Sequence, residues 1–121
     1  MNARARGERG RIAAAASQPN ELDHRRILRA VERRRRYRYV TPRVLAAENG
    51  YRVVSPNCSR NIDPGGGEIE VALIHYTAAS GTWRLFYRDH AARRWCMAGE
   101  APRLAPLLAE LAEDESRRFW P

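Results

Sequence analysis

The sequence contains no lysine, and all 22 of its strongly basic residues are arginine. This absence excludes a Walker phosphate-binding loop, which needs a lysine directly after its last glycine. The run Gly65–Gly67 is followed instead by Glu68, whose carboxylate would repel a phosphate group. These glycines precede an extended segment, whereas a dinucleotide-binding loop opens a helix. The missing lysine also excludes a nuclease core of the Asp…Glu-x-Lys type.

Cysteine is scarce as well, with Cys58 and Cys96 as the two thiols of the sequence. One disulfide is arithmetically possible, but nothing marks secretion, so two reduced thiols are expected. Together with His75 and His90 they would form a four-ligand set with spacings of 17, 15 and 6 residues. Ligand pairs of structural zinc sites are usually about two to five residues apart. The sequence therefore predicts neither a metal site nor a cofactor.

Long apolar runs are missing too. No stretch approaches the roughly 18 consecutive apolar residues of a membrane-spanning helix, so we predict no membrane span. The first nineteen residues are rich in arginine and alanine, and they lack the apolar region of a secretory signal. We expect residues 1–19 to be a disordered tail and residues 20–121 to form a single domain. We expect the protein to be cytoplasmic.

Positive charge is concentrated in the first third of the chain. Residues 1–40 hold twelve arginines and four acidic residues, whereas residues 41–121 hold ten of each. The formal net charge of +8 therefore belongs to the first segment. Such a segment attracts nucleic-acid phosphates, anionic membranes or an acidic protein. Because arginine is also favoured by GC-rich codon usage, its placement is more informative than its abundance.

The segment that follows residue 19 has the pattern of an amphipathic helix. Asn20 can cap its first turn, and Ile27, Leu28 and Val31 fall on one side of it. The opposite side carries five arginines: Arg25, Arg26, Arg29, Arg33 and Arg36. We expect the helix to end near Arg34, because the next arginine would return to the apolar side. Two interpretations remain open, a solvated face of an ordinary helix or a surface that binds a negatively charged partner.

Five extended segments follow this helix. Asn49-Gly50 predicts a tight hairpin turn between the first two of them. The connections are short, which predicts antiparallel pairing between neighbours in sequence and thus a meander. The five segments are residues 42–47, 51–55, 68–76, 82–88 and 93–97.

Strict alternation of apolar residues predicts which strand side chains enter the core. The third strand would contribute Ile69, Val71 and Leu73, with Ala72 on the opposite face. The fourth strand would contribute Trp83, Leu85 and Tyr87.

The C-terminal segment predicts a second helix. Leucines at positions 104, 107, 108 and 111 recur at helical spacing, and the helix starts either at Pro106 or at Pro102 with a disturbed first turn. We expect Phe119-Trp120 to fold back on the sheet, because two exposed aromatic rings would promote aggregation. The elements together predict an α+β fold with an N-terminal helix, an antiparallel sheet of about five strands and a C-terminal helix.

The connection formed by residues 55–67 combines a thiol, a guanidinium and several amides. Cys58 lacks the arginine six residues later that a protein-phosphatase loop requires, and no helix begins at it to lower its pKa. Asp63-Pro64-Gly65 favours a turn instead. We predict a self-bonded connection with a buried thiol, and we keep the hypothesis that it also presents Arg60 and Asn61 to a ligand.

Several stretches are similar to one bacterial family. They are SPNCSRNIDPGGGEIEVALIHY, GTWRLFYRDHAARRW and the acidic segment that ends in Phe119-Trp120. From about Leu22 to Trp120 the chain resembles the family catalogued as domain of unknown function 3024. The resemblance implies a compact bacterial domain, and it brings no activity, substrate or catalytic residue with it.

Three functional hypotheses remain open. The first is a non-catalytic interaction or regulatory module, monomeric or homodimeric, whose arginines meet an acidic protein or the acidic segment of a second copy. That segment contains Glu110, Glu113, Asp114 and Glu115. The second is a nucleic-acid-binding domain that uses the same arginines with nearby aromatic rings. The third is a small enzyme that uses Cys58, His75 or His90, which the fold would have to bring together.

Overall fold

The structure, a computed structural model, describes residues 17–36, 40–56 and 67–120. The described elements follow the order helix, five strands, helix, which confirms the predicted α+β class. They are α1 (Glu21–Glu32), β1 (Arg43–Ala47), β2 (Gly50–Pro56), β3 (Glu68–Thr77), β4 (Thr82–Asp89), β5 (Arg94–Ala101) and α2 (Ala105–Glu113). Neither of these two helices combines the length and the apolar character needed to cross a lipid bilayer.

The five strands form one antiparallel meander in the order β1-β2-β3-β4-β5. The predicted hairpin joins β1 to β2, but its two loop residues are Glu48 and Asn49, because Gly50 already pairs with Ala47 as the first residue of β2. Asn49 has a left-handed φ of 59°, a conformation that asparagine tolerates. Gly50 lies so close to β3 that a Cβ atom there would collide with the carbonyl oxygen of Ile74. Backbone sterics therefore explain Asn49 in the loop and Gly50 at the start of β2.

One hydrophobic core lies between the sheet and the two helices. α1 lies nearest β1, α2 lies beside β4 and β5, and the helices contact each other. Ile27 and Val31 of α1 are fully buried, and Leu28 packs against the core. All four leucines of the C-terminal stripe are buried, so the predicted apolar sides of both helices are confirmed.

The C-terminal aromatic pair completes the core. Phe119 and Trp120 are 1% and 2% exposed. The indole N–H of Trp120 donates to the carbonyl oxygen of Leu111 at 3.0 Å, and Phe119 meets Tyr87 edge-on with ring centroids 6.3 Å apart. The prediction that this pair folds back is confirmed.

The predicted phase of β3 is confirmed for Ile69 and Val71 and is wrong beyond Val71. Ala72 and Ile74 join Val71 in the core, whereas Leu73 does not. The cause is a shift in the β2–β3 register, in which Val71 has no direct partner on β2. An extra residue in one strand moves the side chains that follow it to the other face.

The predicted bounds of β1, β2 and β4 agree with the structure to within one residue, whereas β5 continues to Ala101, beyond its predicted end at residue 97. Trp83 and Leu85 are core residues, and Tyr87 packs against them, as alternation along β4 predicted. The helix ends lie close to their predicted positions. α2 begins at Ala105, so Pro106 is its second residue. α1 ends at Glu32, slightly before the predicted end near Arg34.

The predictions for residues 1–16 and for Cys58, Arg60 and Asn61 lie outside the described residues.

Candidate anion-binding groove

The start of α1 is attached to the sheet by a polar cluster. The Asp23 N–H donates to the Oδ1 atom of Asn20 at 2.8 Å, which caps the helix. The backbone N–H of Asn20 in turn donates to the Tyr51 hydroxyl of β2 at 2.8 Å, and that hydroxyl donates to Oε1 of Gln18 at 2.6 Å. Burial raises the pKa of Tyr51, so its hydroxyl keeps the proton that it donates. This cluster fixes the direction of α1 and of its arginines.

A groove of about 580 Å³ lies beside α1. Arg26, Arg29 and Arg33 line one wall, because residues three and four positions apart share one side of a helix. The other wall is the segment that leads into α2, which contributes Arg103. We call this space, with its four arginines, the arginine groove.

Aromatic and apolar side chains form the floor of the arginine groove. Tyr76 of β3 and Trp83 of β4 are cross-strand partners, with ring centroids 5.0 Å apart and planes tilted by 55°. Leu104 and Leu108 line the same space. Trp83 is only 6% exposed, whereas Tyr76 is partly exposed. The floor therefore offers the ring of Tyr76 to a ligand and supports it with Trp83.

One carboxylate lies among these arginines. Asp23 accepts a hydrogen bond from Nη1 of Arg26 at 3.2 Å, and it also accepts from the side-chain amides of Gln18 and Asn20. The groove thus has four guanidinium groups and one carboxylate, a net of three positive charges.

The other three guanidinium groups of the groove are available for a ligand. Within the described part of the chain, the side chains of Arg29, Arg33 and Arg103 make no hydrogen bond or ion pair. All three are exposed. A guanidinium group binds a phosphate or a carboxylate through two parallel N–H···O bonds. The groove has the chemistry of an anion-binding site that can engage more than one anionic group.

Residues 15–121 match the family described as Domain of unknown function (DUF3024). The chain belongs to this family. Comparisons with the curated proteins and with the solved structures give no match. The DUF3024 assignment agrees with the resemblance seen in the sequence, and it leaves the function to be argued from the groove.

Two of the predicted binding arginines of this DUF3024 protein lie outside the groove. Arg25 forms an exposed ion pair with Glu21 at 2.9 Å. Arg36 lies beyond the end of α1 and donates from Nη1 to the backbone oxygen of Asp114 at 2.6 Å. Both arginines therefore have partners within the same chain.

Arg34 has a structural position. It is only 4% exposed, its Nη1 atom donates to the carbonyl oxygen of Val31 at 2.9 Å, and its guanidinium lies 5.2 Å from the centre of the Trp120 ring. This arginine joins the end of α1 to the C-terminal segment.

The acidic end of α2 is also paired within one chain. Arg35 and Glu113 form an ion pair at 2.8 Å between the two helices, and Arg118 pairs with Glu110 at 2.7 Å. With the contact between Arg36 and Asp114, these pairs occupy much of the acidic segment that we considered as the partner of the arginines in a second copy.

The two histidines of the enzyme hypothesis, which the structure describes, are not brought together. His75 lies opposite Arg84 on the neighbouring strand, near the β3–β4 turn. His90 lies in the β4–β5 turn, at the other end of β4. Cys96 is a free thiol opposite Tyr87, and Cys58 lies outside the described residues. Among the described residues, no group of three or more His, Cys, Asp or Glu side chains could hold a metal ion.

Three groove residues were not among the predicted binding residues. Arg103 follows α1 by some seventy positions, and its place across the groove depends on how the helices pack. Tyr76 was overlooked because the β3 alternation was assigned to the wrong phase. Asp23 was not predicted as a groove residue, although its helical spacing from Arg26 could have shown that they form an ion pair.

Proposed function

We propose that this DUF3024 protein is a non-catalytic binding module that holds the phosphate backbone of a nucleic acid in the arginine groove. The observation that carries the proposal is that one groove is lined by Arg29, Arg33 and Arg103, whose guanidinium groups have no partner among the described residues. A repeating polyanion carries several phosphates and can therefore contact more than one of these arginines at once.

The floor of the groove favours a nucleic acid over a purely anionic polymer. Nucleic-acid-binding grooves combine positive charge that follows the backbone with aromatic rings on which bases stack. Tyr76 and Trp83 lie on the floor between the arginine walls. The same space therefore provides a partner for the phosphate group and a partner for the base.

A second candidate function is the binding of an acidic protein. Leu22 is 61% exposed, and it precedes Arg26 and Arg29 by four and seven positions, so it lies on the same side of α1. An apolar anchor beside arginines is typical of a protein interface. In this function the arginines would meet carboxylates and Leu22 would meet an apolar side chain of the partner.

The deciding experiment uses the full chain, purified with nuclease and high salt so that no carried-over nucleic acid remains. Fluorescence anisotropy with a labelled oligonucleotide is measured over a series of salt concentrations. We expect the logarithm of the association constant to fall linearly with the logarithm of the salt concentration. The expected slope is about −2 to −3, because each phosphate contact contributes roughly −0.7 to −0.9.

If oligonucleotides fail to bind the purified protein even at low salt, the proposed nucleic-acid function is wrong. A defined complex with an acidic protein that survives nuclease treatment and is lost on Leu22→Ser would then support the second candidate.

A further inference from the structure

We infer that the arginine groove accepts single-stranded nucleic acid, with one unpaired base on the ring of Tyr76 and the adjoining phosphates on Arg29, Arg33 and Arg103. The inference rests on the proposed nucleic-acid function and adds the form of nucleic acid that fits. It follows from the volume, the aromatic lining and the arginines of the groove.

The groove has two walls, which limits what can enter it. Its volume of about 580 Å³ lies in the range of about 300–1,000 Å³ that is usual for sites of small organic ligands. One or two nucleotide units are ligands of this class. A duplex is much wider, and it keeps its bases paired and stacked, so that only base edges and phosphates reach a protein. It would contact the rims and leave the floor empty.

The floor indicates that a base enters the groove. The Tyr76 hydroxyl can donate one hydrogen bond to a phosphate. The ring of Tyr76 and the side chains of Leu104 and Leu108 present apolar surface, with which phosphate makes no favourable contact. An unstacked base has a flat apolar face that can cover such a ring. Stacking on one aromatic side chain accounts for roughly 5- to 150-fold in affinity, enough to separate single strands from duplexes.

The arginine spacing suits a chain of phosphates. Arg29 and Arg33 are one helical turn apart, about 6 Å along the axis of α1, and Arg103 faces them from the other wall. Each can bind a different phosphate. The base between those phosphates then points to the floor, where Tyr76 lies.

The test compares ligands that carry the same number of phosphates, using the nuclease-treated full chain. The ligands are a ten-nucleotide oligo(dT), oligo(rU) of the same length, an abasic decamer and a ten-nucleotide DNA duplex whose strands are joined by a non-nucleotide linker, so that it has no unpaired base. We expect the abasic decamer and the duplex to bind at least about 5-fold more weakly than oligo(dT). The ratio of oligo(rU) to oligo(dT) affinity distinguishes RNA from DNA as the preferred strand.

Two variants of Tyr76 test whether this difference in affinity depends on the aromatic ring on the groove floor. Tyr76→Ala should lower oligo(dT) affinity to the level of the abasic decamer, whereas Tyr76→Phe should keep most of it because the ring remains. Equal binding of oligo(dT), duplex and abasic decamer by the unmodified chain would overturn the inference and leave the proposed function standing. No binding of any nucleic acid would overturn both. The ligand comparison requires no variant, so a folding defect of Tyr76→Ala cannot obscure it.

Discussion

The guanidinium group of Arg26 lies 3.2 Å from the carboxylate of Asp23, inside the arginine groove. The side chain of Asp23 is largely buried, while that of Arg26 is 56% exposed. This ion pair lowers the positive potential at one end of the groove. The strongest potential therefore lies around Arg29, Arg33 and Arg103, which have no such partner among the described residues.

Replacing this carboxylate should strengthen binding. In Asp23→Asn the groove gains one net positive charge, and we expect oligonucleotide affinity at low salt to rise about 3- to 10-fold. Folding stability should fall by about 1 kcal/mol, because Asp23 accepts three side-chain hydrogen bonds and lies in the first turn of α1. Glu32→Gln is the matched control, since it removes an exposed charge from the same helix outside the groove. An increase no larger than that of Glu32→Gln would contradict the role given to Asp23.

The free arginines of α1 should dominate binding. We expect Arg29→Gln/Arg33→Gln to weaken oligonucleotide binding about 10- to 100-fold and to make the salt slope shallower by about 1 to 2. Arg25→Gln/Arg35→Gln removes the same charge from two arginines that already have acidic partners. If both double variants weaken binding equally, general basicity rather than the groove attracts the nucleic acid.

A buried carboxylate should control the stability of the C-terminal segment. Asp114 has a left-handed φ of 46° and accepts hydrogen bonds from the N–H groups of Arg118, Phe119 and Trp120. Asp114→Ala should lower the free energy of unfolding by about 3 kcal/mol or more, because the two buried N–H groups of Phe119 and Trp120 and the partly buried N–H of Arg118 lose their acceptor. Urea denaturation measures this loss. The exposed neighbour gives the control, Glu115→Ala, for which we expect a change within about 0.5 kcal/mol.

Protonation of His90 should lower the folding stability below neutral pH. Burial, with a smaller effect from the charge of Arg88, lowers the pKa of His90 in the folded chain. The unfolded chain, with a pKa near 6.5, then binds the proton first, so the contribution of His90 is complete above pH 6.5 and is lost as the pH falls from that value through the lower pKa of the folded chain. His90→Gln should therefore lose less stability than the unmodified protein between pH 7.5 and pH 5, as measured by urea midpoints. Parallel pH profiles for the two proteins would show that His90 does not contribute.

Much of the fold could be predicted because its signals are local. Three of these signals depend only on residues that are close in sequence. They are the leucine stripe of α2, the hairpin signal at Asn49 and the alternation of Trp83 with Leu85. The phase of β3 could not be predicted, because the register shift beside Val71 arises from pairing with β2. Pairing between strands is a property of the assembled sheet.

The groove could be predicted only in part. Helical spacing was enough to place Arg26, Arg29 and Arg33 on one side of α1. The position of Arg103 across from them depends on the packing of α2, and the contact of Arg36 with Asp114 depends on where α1 ends. These are tertiary relationships between residues far apart in sequence, and no short motif specifies them.

The most direct test of the central claim is zero-length ultraviolet cross-linking of a single-stranded oligonucleotide to the full chain, followed by peptide mass spectrometry. We predict cross-links at Tyr76 or Trp83 that disappear in Arg29→Gln/Arg33→Gln. The outer face of the sheet provides an internal control, because Phe86 and Trp95 lie there beside Arg84 and Arg88 and are aromatic residues near positive charge. Cross-links confined to Phe86 or Trp95, or none on the groove floor, would contradict the account.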